Sequence, residues 1–204
     1  MTSPWVRSSN PCSVQFVRER KFNPKFHALY YVLLNKFITY KQSMSFMNKE
    51  ENSIVIQQVN EGIFDDLLGL IDKLAEYEKL APPNEKARRR LRIDYLSDKP
   101  KFQAFIGKIG NKCVSYVIYF FTYSSFLGLP TLYLEDIFVL EEYRRQRVGK
   151  RMFDHLKEIA KFEGCYRIEF TVLKWNKSAQ KFYEKNKAKR LDWFLYRLVK
   201  EDFS

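Results

Sequence analysis

The sequence predicts an α/β domain on a mixed sheet, in the order β-α-α-β-β-β-α-β-α-β. Three observations predict it. The run Leu132, Leu134, Ile137, Phe138, Val139 and Leu140 is apolar and too short for a helix, so it reads as a strand. Val148, Met152, Leu156 and Ile159 follow at spacings of four, four and three, which is one apolar helix face. Between them lies a basic turn over residues 141–149, crowded by Arg144, Arg145, Arg147 and Lys150. A strand that hands over to a helix through such a turn aims backbone N–H groups and the positive helix end at one spot, which suits an anion. A solvated basic helix start has the same composition, and the cluster alone does not decide between the two.

Taken in order, the domain opens with a short strand at Ile54, Val55 and Ile56. Asn60 is placed to cap the first helix, whose apolar face is Ile63, Leu67, Leu70 and Leu74. That helix ends near Tyr77-Glu78, before Pro82-Pro83. A second helix is expected over about residues 85–96, with Arg88-Arg89-Arg90 as a solvated face. Residues 102–106 and 113–123 read as a hairpin, with Gly107 and Gly110-Asn111 supplying the turn. After the central strand and helix, residues 167–172 read as a strand. Residues 178–185 read as a helix opened by Asn176, and a closing strand is expected near residues 194–199.

The chain has 204 residues, enough for one domain plus an extension. Apolar residues make up 46% and aromatic residues 17%, which suffices for a sizeable core. The formal charge is +12, half of it in residues 1–50. Such a balance suits anionic partners, but no nucleic-acid-binding motif is present, and none is expected to bind. Residues 1–50 are acid-poor and aromatic without a clear period, and read as a poorly ordered basic extension to a domain over residues 51–204. The apolar run at residues 28–34 is too short to span a membrane. No signal peptide is evident. A cytoplasmic location is expected, with mitochondrial targeting by the extension as the alternative. Cys12, Cys113 and Cys165 have neither metal-ligand nor disulfide spacing; Cys113 and Cys165 read as buried thiols and no metal is expected. His155 reads as a surface or boundary residue.

The segment Arg144 to Gly149 resembles the central motif of the GNAT superfamily of acetyl-CoA-dependent N-acetyltransferases, Arg/Gln-x-x-Gly-x-Gly/Ala, with Arg147 standing where glycine is preferred. Leu134-Glu135-Asp136, the run from Glu169 to Asn176, Phe182-Tyr183 and Tyr77-Glu78 resemble the diamine (spermidine/spermine) and thialysine acetyltransferases of that superfamily. The resemblance covers roughly residues 52–200 and implies a GNAT-like mixed, mostly antiparallel central sheet flanked by helices.

It also implies chemistry. Acetyl-CoA is the acetyl donor, and Ile137, Phe138 and Val139 line its pantetheine arm. Arg144, Arg145, Gln146, Arg147, Val148, Gly149 and Lys150 hold its pyrophosphate, with Asn176, Ser178 and Lys185 as further contacts. Tyr183 is matched to the acid that protonates the leaving thiolate. Tyr77, Glu78, Glu135, Asp136, Glu169, Phe170 and Thr171 are matched to the substrate side. Adjacent residues on a regular strand point to opposite faces, so only one of Glu135 and Asp136 faces a given pocket, and Glu135 is preferred as the base.

The chain departs from the pattern where Arg145, Arg147, Lys187 and Ser115 replace residues that are often glycine. The expected substrate is a small cationic amine, and the assembly implied is a homodimer. The stretch Asp192-Trp193-Phe194-Leu195 keeps a single carboxylate before the last expected strand, which favours a short amine over spermine. Two alternatives stand beside this reading: acetylation of a protein amine, and a CoA-binding protein without catalysis.

Overall fold

The computed structural model describes residues 54–203, so the extension predicted over residues 1–50 and Cys12 lie outside the described residues. Five strands form one sheet in the order β1-β2-β3-β4-β5. They are β1 (Val55–Gln58), β2 (Gln103–Ile109), β3 (Lys112–Ser124), β4 (Leu129–Val139) and β5 (Arg167–Glu169). Neighbours run antiparallel from β1 to β4, and β4 pairs parallel with β5. A parallel pair needs a crossover, and the crossover here is helix α3 (Val148–Phe162). Helices α1 (Phe64–Glu78), α2 (Glu85–Tyr95) and α4 (Lys177–Lys185) complete the domain.

The sheet is covered on both faces. Val148, Met152, Phe153, Leu156 and Ile159 of α3 pack with Val117, Leu132 and Leu134. Phe64, Leu67 and Leu70 of α1 pack with Ile106, Tyr116 and Phe138. Both helical faces predicted from spacing are the buried ones, because burial of apolar area dominates what a helix turns inward.

Several expectations are corrected. No strand forms at residues 194–199, which are exposed. A strand needs a neighbour to complete its ladder, and β5, the outermost strand of the sheet, is only three residues long. Gly107 lies inside β2 opposite Ser115, and the hairpin turn is made by Gly110-Asn111 alone, with Gly110 at φ 57°. Asn60 precedes a 3-10 turn over Glu61–Ile63 and its side chain caps nothing. Arg88 is half-buried rather than solvated, because its Nη2 donates to Asp72 Oδ1 at 2.5 Å. Cys113 and Cys165 are half-buried, and burial pushes both thiols up. His155 sits at the boundary, edge-on to Phe105 at 4.6 Å. Its Nε2 is buried without a hydrogen-bond partner, and burial holds the imidazole down at about 4.

Candidate active site

β4 and β5 pair only where Thr131, Leu132 and Tyr133 meet Arg167, Ile168 and Glu169. Beyond Tyr133 that edge of β4 has no strand partner among the described residues. Side chains from four elements converge there. The end of α1 supplies Tyr77, whose ring lies 6.4 Å from Phe138 on β4 and 5.6 Å from Trp175. The Tyr77 hydroxyl donates to Asn176 Oδ1 at 3.4 Å, and the same oxygen caps α4 by accepting from Ala179 N at 3.0 Å. The Arg144 guanidinium lies 4.5 Å above the Tyr77 ring, and its Nε donates to the Val139 carbonyl at 3.0 Å. Five residues matched to substrate and cofactor are therefore one contact cluster: Tyr77, Phe138, Val139, Arg144 and Asn176.

The turn below this cluster adopts the conformation that glycine favours, with other residues in it. In that turn Arg145 and Arg147 sit at φ 62° and 63°, and Lys187, just beyond the end of α4, sits at φ 69°. These are three of the positions where the sequence departs from glycine, so the backbone shape is retained and the side chains bear its steric cost. Arg147 immediately precedes α3, no side chain caps that helix, and its first turn holds no acidic residue. The first N–H groups of α3 are thus open to an anion. This arrangement fits a diphosphate. Val148 is buried in the core and Gly149 lies against Val139. Lys150 is held by Asp154, and Gln146 Nε2 donates to the Glu142 carbonyl at 2.8 Å, so both are engaged within the chain. Ser178 and Lys185 sit at opposite ends of α4, about 10 Å apart by helix rise.

The carboxylates are arranged by a bulge. Ile118 faces Asp136 and the next residue, Tyr119, faces Leu134, so Glu135 is the extra residue on β4. The bulge switches the facing of the strand. Leu134 packs with the α3 layer, whereas Phe138, just beyond Asp136, packs with the α1 layer. Glu135 is exposed, and Asp136 is half-buried, with the Tyr116 hydroxyl donating to its Oδ2 at 3.4 Å. Burial above all, then the charges of Glu135 and Glu78, raise the Asp136 carboxyl to about 6, against the opposing Tyr116 hydrogen bond. Burial also raises Glu78. Of the two, Asp136 rather than Glu135, the expected base, is the more buried carboxylate, and the bulge at Glu135 separates them.

Tyr183 is 9% exposed on α4, with its ring 4.2 Å from Phe170 and 5.7 Å from Phe153. Burial, then the charge of Asp136, raises its phenol well above the ordinary range, so it stays protonated. Phe170 is half-buried and packs on the Tyr183 ring. Glu169 is paired with Arg167 at 3.1 Å, and Thr171 is exposed. Trp175, unassigned from sequence, is placed by its contact with Tyr77. Among the described residues, no group of three or more His, Cys, Asp or Glu is positioned to hold a metal, and no helix is long and apolar enough to cross a membrane. Two surface recesses, about 520 Å³ between α1 and α2 and about 460 Å³ beside β5 and the end of α3, lie away from the cluster.

Residues 70–187 match the acetyltransferase (GNAT) family. A protein of Sus scrofa named thialysine N-epsilon-acetyltransferase is 35% identical over 140 residues, covering 65% of this chain and 82% of that protein. A Homo sapiens protein named spermidine/spermine N(1)-acetyltransferase-like protein 1 is 30% identical over 158 residues, covering 72% of this chain and 23% of that protein. Solved structures share the fold. An integron cassette protein from the mobile metagenome of V. cholerae superposes with a TM-score of 0.64 at 22% identity, over 74% of this chain and 94% of that one. An aminoglycoside N-acetyltransferase in complex with CoA does so with a TM-score of 0.61 at 17% identity, over 73% and 96%.

Proposed function

Because this chain belongs to the acetyltransferase (GNAT) family, we propose that it moves an acetyl group from acetyl-CoA to a primary amine of a small cationic substrate, by direct attack in a ternary complex. The observation that carries this reading is the end of β4–β5 pairing at Tyr133, followed by the Tyr77, Phe138, Val139, Arg144 and Asn176 contact cluster, the half-buried carboxylate of Asp136 and an uncapped helix start.

Acetyl-CoA supplies the acetyl group and departs as the thiol. The open N–H groups at the start of α3 bind the pyrophosphate, and the exposed Arg145 and Arg147 side chains add only a screened positive charge around them. The unpaired edge of β4 at Ile137, Phe138 and Val139 receives the pantetheine arm and offers backbone donors to the thioester oxygen. Glu78 and Glu135 attract the ammonium form of the substrate. Asp136 accepts its proton, and a carboxyl near 6 is poised to do so at neutral pH. The amine nitrogen then bonds to the acetyl carbon as the C–S bond breaks. Tyr183 gives its proton to the departing sulfur and is restored by the second proton that the nitrogen loses as the amide forms.

The names of the relatives and the lone carboxylate at Asp192 support a short amine, thialysine-like or a small diamine. The test is acetyl-CoA binding by calorimetry, then thiol release with thialysine, putrescine, spermidine and spermine. Turnover of thialysine or putrescine with higher kcat/KM than spermine is expected. Binding without thiol release from any amine would leave a CoA-binding protein without catalysis. Activity on peptide amines alone would make it a protein acetyltransferase.

A homodimer is proposed as well. Trp193, Phe194, Leu195, Tyr196 and Leu198 are each more than 70% exposed, and such an apolar run suits burial against a second copy of the chain. Light scattering on the eluting peak is expected to give twice the mass of the chain; a monomer at micromolar concentration overturns it.

A further inference from the structure

We infer that Tyr116 is the positioning residue for proton abstraction: its buried hydroxyl holds Oδ2 of Asp136 and leaves Oδ1 to take the proton of the substrate amine. The inference rests on the proposed role of Asp136 as the base.

The geometry comes from the strand pairing. Tyr116 faces Phe138 and Ile118 faces Asp136 across β3 and β4, so Tyr116 and Asp136 are diagonal neighbours on one sheet face. The Tyr116 ring is fully buried in the α1 layer, 6.3 Å from Phe138, so it has no freedom to turn its hydroxyl elsewhere. A buried hydroxyl costs free energy unless it is bonded. Phenylalanine would fill the same core space without that cost. The partner found for this hydroxyl is the Asp136 carboxylate at 3.4 Å, a long bond of the kind that tightens when a charged ligand arrives. Oδ1 of Asp136 has no protein donor among the described residues.

The surroundings give the contact its consequence. Glu135 from the same strand, Glu78 from α1 and Tyr183 from α4 are the titratable groups that act together with Asp136, and none is a cation. Burial and both carboxylates favour the protonated acid, which cannot act as a base. The Tyr116 hydroxyl is the one neighbour that favours the ionised form. A phenol serving only the core would leave that balance untouched.

The experiment compares Tyr116→Phe, Asp136→Asn and site-specific 3-fluorotyrosine at position 116, a stronger donor in nearly the same volume. Carbon-13 NMR follows the Asp136 carboxyl, assigned by its loss in Asp136→Asn. The pH profile of kcat/KM is recorded with acetyl-CoA and the best amine of the panel above. In Tyr116→Phe the Asp136 midpoint is expected to rise by about one pH unit. The acid limb should follow, making kcat/KM about fivefold lower at pH 6 and nearly unchanged at pH 8.5. The fluorinated residue is expected to move both midpoints the other way, a sign reversal that a packing defect would not produce. If neither substitution moves the Asp136 midpoint, the inference is wrong whatever the base is. If Asp136→Asn retains the acid limb, the role of Asp136 as base fails, and the inference falls with it.

Discussion

Replacing Arg147 with glycine separates what the phosphate turn needs from its backbone and what it needs from its side chains. Arg147 sits at φ 63°, is exposed, and precedes α3 without capping it. A non-glycine residue in this region bears about 1–2 kcal/mol of steric cost. Glycine removes that cost but gains unfolded-state freedom worth about 0.5–1 kcal/mol. The balance favours Arg147→Gly by about 0.5–1 kcal/mol, an increase in melting temperature of roughly 2 °C for a domain of this size. The α3 N–H groups keep their direction, since glycine adopts the same φ. The exposed guanidinium contributes only a screened charge. Calorimetry at low and high salt should therefore find acetyl-CoA bound as well as or better than by the unaltered protein, to within about threefold. A loss of about tenfold or more, with the melting temperature intact, would refute the reasoning and make Arg147 itself a phosphate ligand.

Three further outcomes are expected. Tyr183→Phe should lower kcat by about a hundredfold with acetyl-CoA affinity unchanged, because only the leaving-group proton is lost; single-turnover kinetics and calorimetry check it, and an unaltered kcat removes Tyr183 from the mechanism. Gly107→Ala should destabilise by about 2–3 kcal/mol in urea denaturation, because its Cβ would lie 2.3 Å from Ser115 Oγ and 2.6 Å from Ile54 Cδ1. Adding Ser115→Gly should recover part of that loss. In the Asp136→Asn background, where the raised Asp136 carboxyl no longer offsets it over the same window, stability should fall as the pH drops from about 6.5 toward 4, because His155 is held neutral down to about 4 when folded and the unfolded chain takes up the proton first. His155→Leu should flatten melting temperature over that window, and an unchanged slope would assign the loss to other groups.

The sequence by itself determined the helices, the β-β-β-α-β core and the shape of the phosphate turn. These are local matters. Val148, Met152, Leu156 and Ile159 share a face through helical period alone. Asn176 caps α4 within one turn. Of the four positions where the resembling family often has glycine, residues 145, 147 and 187 have positive φ, whereas Ser115 lies in the regular β3 ladder. The closing strand at residues 194–199 was not determined this way, because β propensity does not supply a neighbouring edge.

Only the tertiary structure decided which carboxylate is buried. Glu135 and Asp136 are adjacent and equivalent to any pattern of period two. Their fates differ because β3 pairs across them with one residue skipped at Glu135, and register is set by the whole β3–β4 ladder. The same pairing brings Tyr116 to Asp136 across twenty residues, and the end of α1 brings Tyr77 to Asn176 across ninety-nine. Such contacts depend on how separate segments pack, and packing is a property of the assembled layers that no local periodicity contains.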